Sequence, residues 1–225
     1  MNLNRATFAE INLESFRYNL RSIKSFVGPA VRTMAIIKAD AYGHGATQCA
    51  RAAIKEKVEF LGVGIIQEGI ELRESGITSP ILILGGIYPN EIDDLIKYNL
   101  STSLSTSVMA KAISKQAANA NKSVSVHIKV DTGMGRLGVQ PAAFQNLLRD
   151  VFSCKNLKIH GVFTHLSSAD EEDPETTHNQ LSVFSKVLKE FSKNAFSKVA
   201  SIKKAMLFHT ANTAGLLRFP ESRFN

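Results

Sequence analysis

The sequence predicts an α/β chain whose strands are parallel and curl into a barrel, and three observations predict it. Short apolar or β-branched runs recur along the 225 residues, each followed by an amphipathic helical stretch. That alternation is the pattern of βα units sharing one parallel sheet. No Ser-, Gly- or Pro-rich linker divides the units, so residues 1–225 read as one barrel domain. Regular alternation over this length favours a (β/α)8 barrel of the TIM type over an open doubly wound sheet.

Taken in order, an opening segment (7–13) leads into a helix over 14–26, with Phe16, Leu20, Ile23 and Phe26 at helical spacing. Strands are expected at 33–38, 60–65, 80–85, 101–105, 124–130, 158–164 and 205–209. Helices are expected at 44–57, 67–75, 91–98, 108–121, 141–152, 176–196 and 213–218. The acidic loop Asp170-Glu-Glu-Asp-Pro174 suits the positive amino-terminal end of the long sixth helix in that series. Seven units leave the barrel one strand short, and an open barrel exposes two unpaired edges. The expectation is therefore a barrel lacking its eighth strand, truncated at its carboxyl end. The alternative is that the opening segment 7–13 completes the sheet.

Composition narrows the class. A hydrophobic fraction of 44% and a charged fraction of 21% are ordinary for a globular protein. No apolar run approaches the roughly 20 residues of a membrane helix, and the start has no apolar signal core. Cys49 and Cys154 have no partner at metal-ligand spacing and read as reduced, half-buried thiols of a cytoplasmic protein. Metal chemistry has no motif to carry it. The net charge of +7 is spread along the chain; Lys186, Lys189, Lys193 and Lys198 come nearest to a stripe, on one solvated helix. Without interleaved aromatics that stripe does not suggest nucleic acid, whereas an anionic small molecule such as a phosphate ester is compatible with it.

In such barrels the site lies at the carboxyl ends of the strands. Four runs place polar groups there. In IIKADAYGHG, Ile36 to Gly45, Lys38 ends an apolar strand, where desolvation lowers a lysine's pKa and activates a Schiff-base amine. Gly43 and Gly45 permit a tight turn. The plain reading is a snorkelling lysine beside a glycine turn. In VHIKVDTGMGRLG, Val126 to Gly138, Lys129 is followed by Asp131 and, among glycines, Arg136, either a simple ion pair closing a loop or a fork aimed at something small. In the third run His165 stands at a strand end, while His127 and His160 read as structural. In FHTANTAG, Phe208 to Gly215, Thr213 stands at a helix N-cap with Ala214 and Gly215 offering backbone N–H groups, where barrels commonly bind phosphate. Asn212-Thr213 is otherwise simply a helix cap.

Together these runs resemble the alanine racemases, fold-type III enzymes dependent on pyridoxal 5'-phosphate (PLP). IIKADAYGHG is similar to their cofactor-attachment signature, with Ile36 where valine is commoner; the Asp131–Arg136 run and the His209–Thr213 run match in order and spacing. The resemblance implies a barrel followed by a carboxyl-terminal β domain, and a cytoplasmic homodimer that interconverts L- and D-alanine, supplying D-alanine for peptidoglycan. It implies that Lys38 bears the cofactor and moves the Cα proton on one face. Tyr42 and Thr213 would reach the phosphate, with Asn212 in the same loop; Thr213 stands where serine is usual. Arg136 would meet the cofactor's phenolic oxygen and the substrate carboxylate, Lys129 would be carbamylated and orient Arg136, and His165 would pack by the pyridine ring. An arginine facing the ring nitrogen would follow Asn225, and the opposite-face tyrosine would come from a second subunit. The chain alone is therefore expected to show little or no racemisation. A single-barrel PLP carrier is the competing reading, and alanine against serine stays open.

Overall fold

The protein is described here from a computed structural model over residues 7–193 and 206–224. Seven strands lie in one sheet in chain order: β1 (Met34–Ile36), β2 (Phe60–Val63), β3 (Ile81–Ile83), β4 (Ser101–Leu104), β5 (Val124–Lys129), β6 (Leu157–Phe163) and β7 (Leu207–His209). Every pairing is parallel. After α1 (Leu13–Val27), helices connect successive strands: α2 (Lys38–Gly43) and α3 (Ala46–Lys55), α4 (Ile66–Glu74), α5 (Ile92–Lys97), α6 (Ser107–Asn119), α7 (Phe144–Ser153) and α8 (Glu175–Lys193). The helix α9 (Thr213–Arg218) follows β7. Parallel neighbours joined by helical crossovers curl the sheet, giving a TIM-type barrel that lacks its eighth strand.

Alternation along each strand separates two environments. Val124, Val126 and Ile128 of β5 are buried in the main core, together with Leu61, Ile83, Ile113, Phe144, Leu148 and Phe184. His127 and Lys129, on the opposite face of the same strand, are buried toward the barrel interior. The core therefore sits between sheet and helices, and the strand ends are left to the site.

The expected elements appear, most strands one to three residues shorter than expected and β6 of the expected length but displaced by one residue toward the amino terminus. Three expectations change. Residues 7–12 form no strand; they run exposed into α1, where Asn12 Oδ1 accepts from Ser15 N at 2.9 Å. The opening segment thus does not complete the sheet. Cys49 and Cys154 are buried rather than half-buried, since α3 and the end of α7 turn those faces to the core. Thr213 is the first residue of α9, and Asn212 is its cap. In the basic stripe Lys186 and Lys189 are exposed, while Lys198, the Lys193 side chain, and the ends of the expected 176–196 helix and 205–209 strand lie outside the described residues. Asp173 Oδ1 accepts from Glu175 N at 2.9 Å, as the acidic loop suggested. No helix of the described residues is long and apolar enough to cross a membrane.

One irregularity shapes the interior. The β5–β6 register shifts between Val126 and His127, and β6 passes His127 at Gly161. A Cβ on Gly161 would meet His127 Nδ1 at 2.6 Å and Leu207 O at 2.8 Å. Gly161→Ala is expected to destabilise the protein by about 1–3 kcal/mol through overpacking. Urea unfolding should show a lower midpoint at unchanged slope, and a midpoint equal to wild type would refute this packing.

Candidate active site

Lys38 follows β1 after one buried residue, Ile37. The next four residues turn the wrong way for L-amino acids. Ala39, Asp40, Ala41 and Tyr42 have φ of 49°, 52°, 53° and 55° with ψ of 53°, 47°, 45° and 38°, a left-handed turn inside α2. At about 1–2 kcal/mol per residue, such a turn costs on the order of 4–8 kcal/mol. It persists because its surroundings hold it. Glu68 Oε1 accepts from Ala39 N at 2.6 Å, Asp40 Oδ1 accepts from Ala46 N at 2.6 Å, and Gly45 N donates to Asp40 O at 2.9 Å. Gly43 and Gly45, with φ of 82° and 87°, supply the exit that only glycine takes freely. The turn sets Lys38 Nζ 5.8 Å from the centre of the Tyr42 ring, which is itself exposed.

Lys129 ends β5, buried, with Nζ 5.4 Å from the Phe163 ring. Burial lowers its pKa; the nearby Arg136 and Lys38 lower it further, and Asp131 opposes them. Among the described residues no carboxylate lies within 4.0 Å of Lys129. The simple ion pair with Asp131 does not form, because Asp131 is turned into its own loop. Its Oδ1 accepts from Gly133 N at 3.0 Å and Gly135 N at 3.1 Å. Bonds from Val139 N to Lys129 O and from Asp131 N to Val139 O pin the base of that loop, and Arg136 stands exposed near its tip.

His165, half-buried beyond β6, has its pKa lowered by burial and then by Arg136, Lys129 and Lys38. Lys38, Lys129, Arg136 and His165 therefore share one electrostatic neighbourhood, drawn from the residues that follow or end β1, β5 and β6. At the fourth loop Asn212 Oδ1 accepts from Gly215 N at 2.8 Å, and Asn212 Nδ2 donates to Leu166 O at 3.3 Å. The Gly215 N–H is thus taken by the cap and buried rather than offered, while Thr213 stays exposed at the helix start.

Two supports were not singled out from sequence. Glu68 signals itself only as an acid in the first turn of α4. Gln180 is a buried amide on the apolar face of α8; it accepts from Ser167 N at 2.9 Å and donates to His165 O at 3.0 Å. A polar residue in step with Phe184, Val187 and Phe191 was the available sign. Among the described residues no His, Cys, Asp and Glu group could hold a metal ion.

Residues 11–225 match the family model described as "Alanine racemase, N-terminal domain". The chain belongs to the alanine racemase family. It is 37% identical over 221 residues to the alanine racemase of Symbiobacterium thermophilum, and 38% over 217 residues to that of Halothermothrix orenii. Those matches cover 98% and 96% of this chain but 56% and 55% of the relatives, so the chain spans little more than half their length. A solved alanine racemase from Clostridium difficile superposes with a TM-score of 0.91 at 34% identity, over 99% of this chain and 60% of that one. Another structure of it, in complex with cycloserine, gives 0.90 at 35%, over 99% and 59%.

Next to these groups in the barrel interior lies a layer of imidazoles. His127 Nδ1 and His209 Nε2 share a hydrogen bond at 3.0 Å, His160 meets His127 edge-on at 5.4 Å, and His209 stacks on Phe163 at 4.6 Å. Burial pushes His209 down from 6.5 to about 3 and lowers His127 and His160 as well. Below about 6.5 the unfolded chain takes up protons that these folded imidazoles refuse. The contribution of His209 is then full above that pH and falls by about 1.4 kcal/mol per unit as pH drops toward its folded value of about 3, with His127 and His160 acting in the same direction. Denaturant midpoints should decline from about pH 7 to about pH 5, less steeply in His209→Gln; a flat or rising midpoint would contradict the neutral layer.

Proposed function

We propose that the chain forms the PLP-binding barrel domain of an enzyme that interconverts L- and D-alanine. The observation that carries this reading is Lys38, held on a strained turn within the field of Lys129, Arg136 and His165, with no carboxylate of the described residues pairing Lys129. Four basic groups around one strand-end mouth suit a ligand that brings its own negative charge. Ile36, 38% exposed, and glycines 62 and 64 offer a smooth apolar floor: a Cβ on Gly62 would strike Ile36 Cδ1 at 2.6 Å. A flat, anionic, aromatic cofactor such as PLP fits that donor set and that floor.

In this reading Lys38 holds the cofactor, and Tyr42, after β1, and Thr213, after β7, reach its phosphate. Asn212 ties the Thr213 loop to the His165 loop and keeps the start of α9 in place. Arg136 receives the substrate carboxylate and the cofactor's phenolic oxygen. His165 packs by the ring, its own position fixed through the Gln180 bond to its carbonyl. The lowered pKa of Lys129 leaves more neutral amine, the form that carbamylation needs, and the resulting anion would orient Arg136. When bound, PLP supplies the electron sink that acidifies Cα. Lys38 then takes or returns that proton on one face, and a tyrosine from a second subunit serves the other face. On this view the whole protein is a cytoplasmic homodimer that makes D-alanine for the cell wall. The Clostridium difficile relative solved in complex with cycloserine supports a small, amino-acid-like ligand.

Borohydride reduction of the cofactor-loaded intact protein, followed by peptide mass mapping, tests the assignment. The cofactor should be fixed on Lys38, and Lys38→Ala should lose attachment and at least about 10²–10⁴-fold in alanine racemisation. Attachment at Lys129, at another lysine or nowhere would refute the proposal.

A further inference from the structure

The left-handed turn after Lys38 is tied to the neighbouring βα unit through one carboxylate. Glu68, in the first turn of α4 and half-buried, uses both oxygens on backbone N–H groups. Oε1 accepts from Ala39 N at 2.6 Å, and Oε2 accepts from Gly64 N at 2.6 Å and Ile65 N at 3.2 Å. Ala39 is the first left-handed residue and the one bonded directly to Lys38. Gly64 lies against the Lys38 stem: a Cβ there would sit 3.3 Å from Glu68 Oε2 and 3.6 Å from Lys38 Cβ. Glu68, Gly64 and Lys38 thus pack as one unit. The side-chain bonds made by Asp40 and His44 stay within the β1–α3 connection, whereas the bond from Glu68 comes from outside it.

We infer that Glu68 is a positioning residue that clamps the left-handed turn and thereby sets where Lys38 Nζ stands. An L-residue at positive φ relaxes toward ordinary backbone when its restraint goes, and Ala39 has no side chain to hold it. Lys38 shares the peptide bond involved, so its amine moves with the turn. A group displaced by about an ångström loses on the order of 10²-fold in a reaction that depends on its placement. Glu68→Gln keeps the size but faces one of the N–H groups with an NH2, donor against donor, so one clamp is lost. The inference rests on the reading of Lys38 as the cofactor lysine.

The test compares wild type, Glu68→Gln and Glu71→Gln, a change at an exposed site on the same helix, in the intact cofactor-loaded protein. Glu68→Gln should keep its far-ultraviolet circular dichroism, change the visible dichroism of the bound cofactor, and attach cofactor to Lys38 more slowly. Its kcat for alanine should fall about 10- to 100-fold with KM little changed, while Glu71→Gln matches wild type. Amide exchange in wild type gives a second readout needing no variant: the Ala39 and Gly64 amides should be protected. Wild-type-like dichroism, attachment rate and kcat in Glu68→Gln would overturn the inference, as would fast exchange at Ala39 should that variant fail to fold. If wild type does not attach cofactor at Lys38, the functional reading fails, and Ala39 exchange with amine labelling of Lys38 in both proteins still decides the clamp.

Discussion

Four successive L-residues held at φ near +50° are an unusual demand on a backbone, and the site is organised around meeting it. An isolated segment Ala39–Tyr42 would not stay left-handed. It does so here because both ends are fixed: Glu68 bonds the first residue, Asp40 caps α3, and two glycines carry the chain out. Ala41, buried against the core, adds packing to the polar restraints. The consequence is chemical. Lys38 leaves a strand end whose following backbone is fixed, with Nζ beside the Tyr42 ring.

The second constraint is electrostatic. The charges of Lys38, Lys129 and Arg136 meet at His165, and two nearby carboxylates are spent on backbone: Asp131 on the Gly133 and Gly135 amides, Glu68 on the Ala39, Gly64 and Ile65 amides. Uncompensated positive charge in a half-buried mouth is unfavourable unless an anion joins it or a base gives up its proton. Both outcomes serve the proposed chemistry: an anionic cofactor or substrate is favoured, and the Lys129 amine is biased toward its neutral form. The imidazole layer shows the same pressure at its limit, with His127, His160 and His209 all held neutral by burial. A neutral layer adds no further positive charge beside the mouth.

Much of this was legible from residues alone, and the rest was hidden for physical reasons. The βα alternation identified all seven strands and their helices, because a buried parallel strand needs an unbroken apolar run. Lys38, Lys129 and His165 were found because a polar residue closing such a run is conspicuous. The left-handed turn was not, since Ala-Asp-Ala-Tyr has ordinary right-handed propensity and its conformation is imposed by Glu68 from another unit, 29 residues on. The Asp131 side chain could have paired with Lys129 or with its own loop, and only the path of the loop decides. Likewise Gly215 reads as a free donor until Asn212 is seen to occupy it.

An experimental structure of the intact protein with PLP bound bears on all of these points at once. Continuous density from Lys38 Nζ to the cofactor is expected, with residues 39–42 still left-handed and the phosphate lodged between Tyr42 and Thr213. Density for the cofactor away from Lys38, or a right-handed turn after it, would contradict the proposed origin of the site.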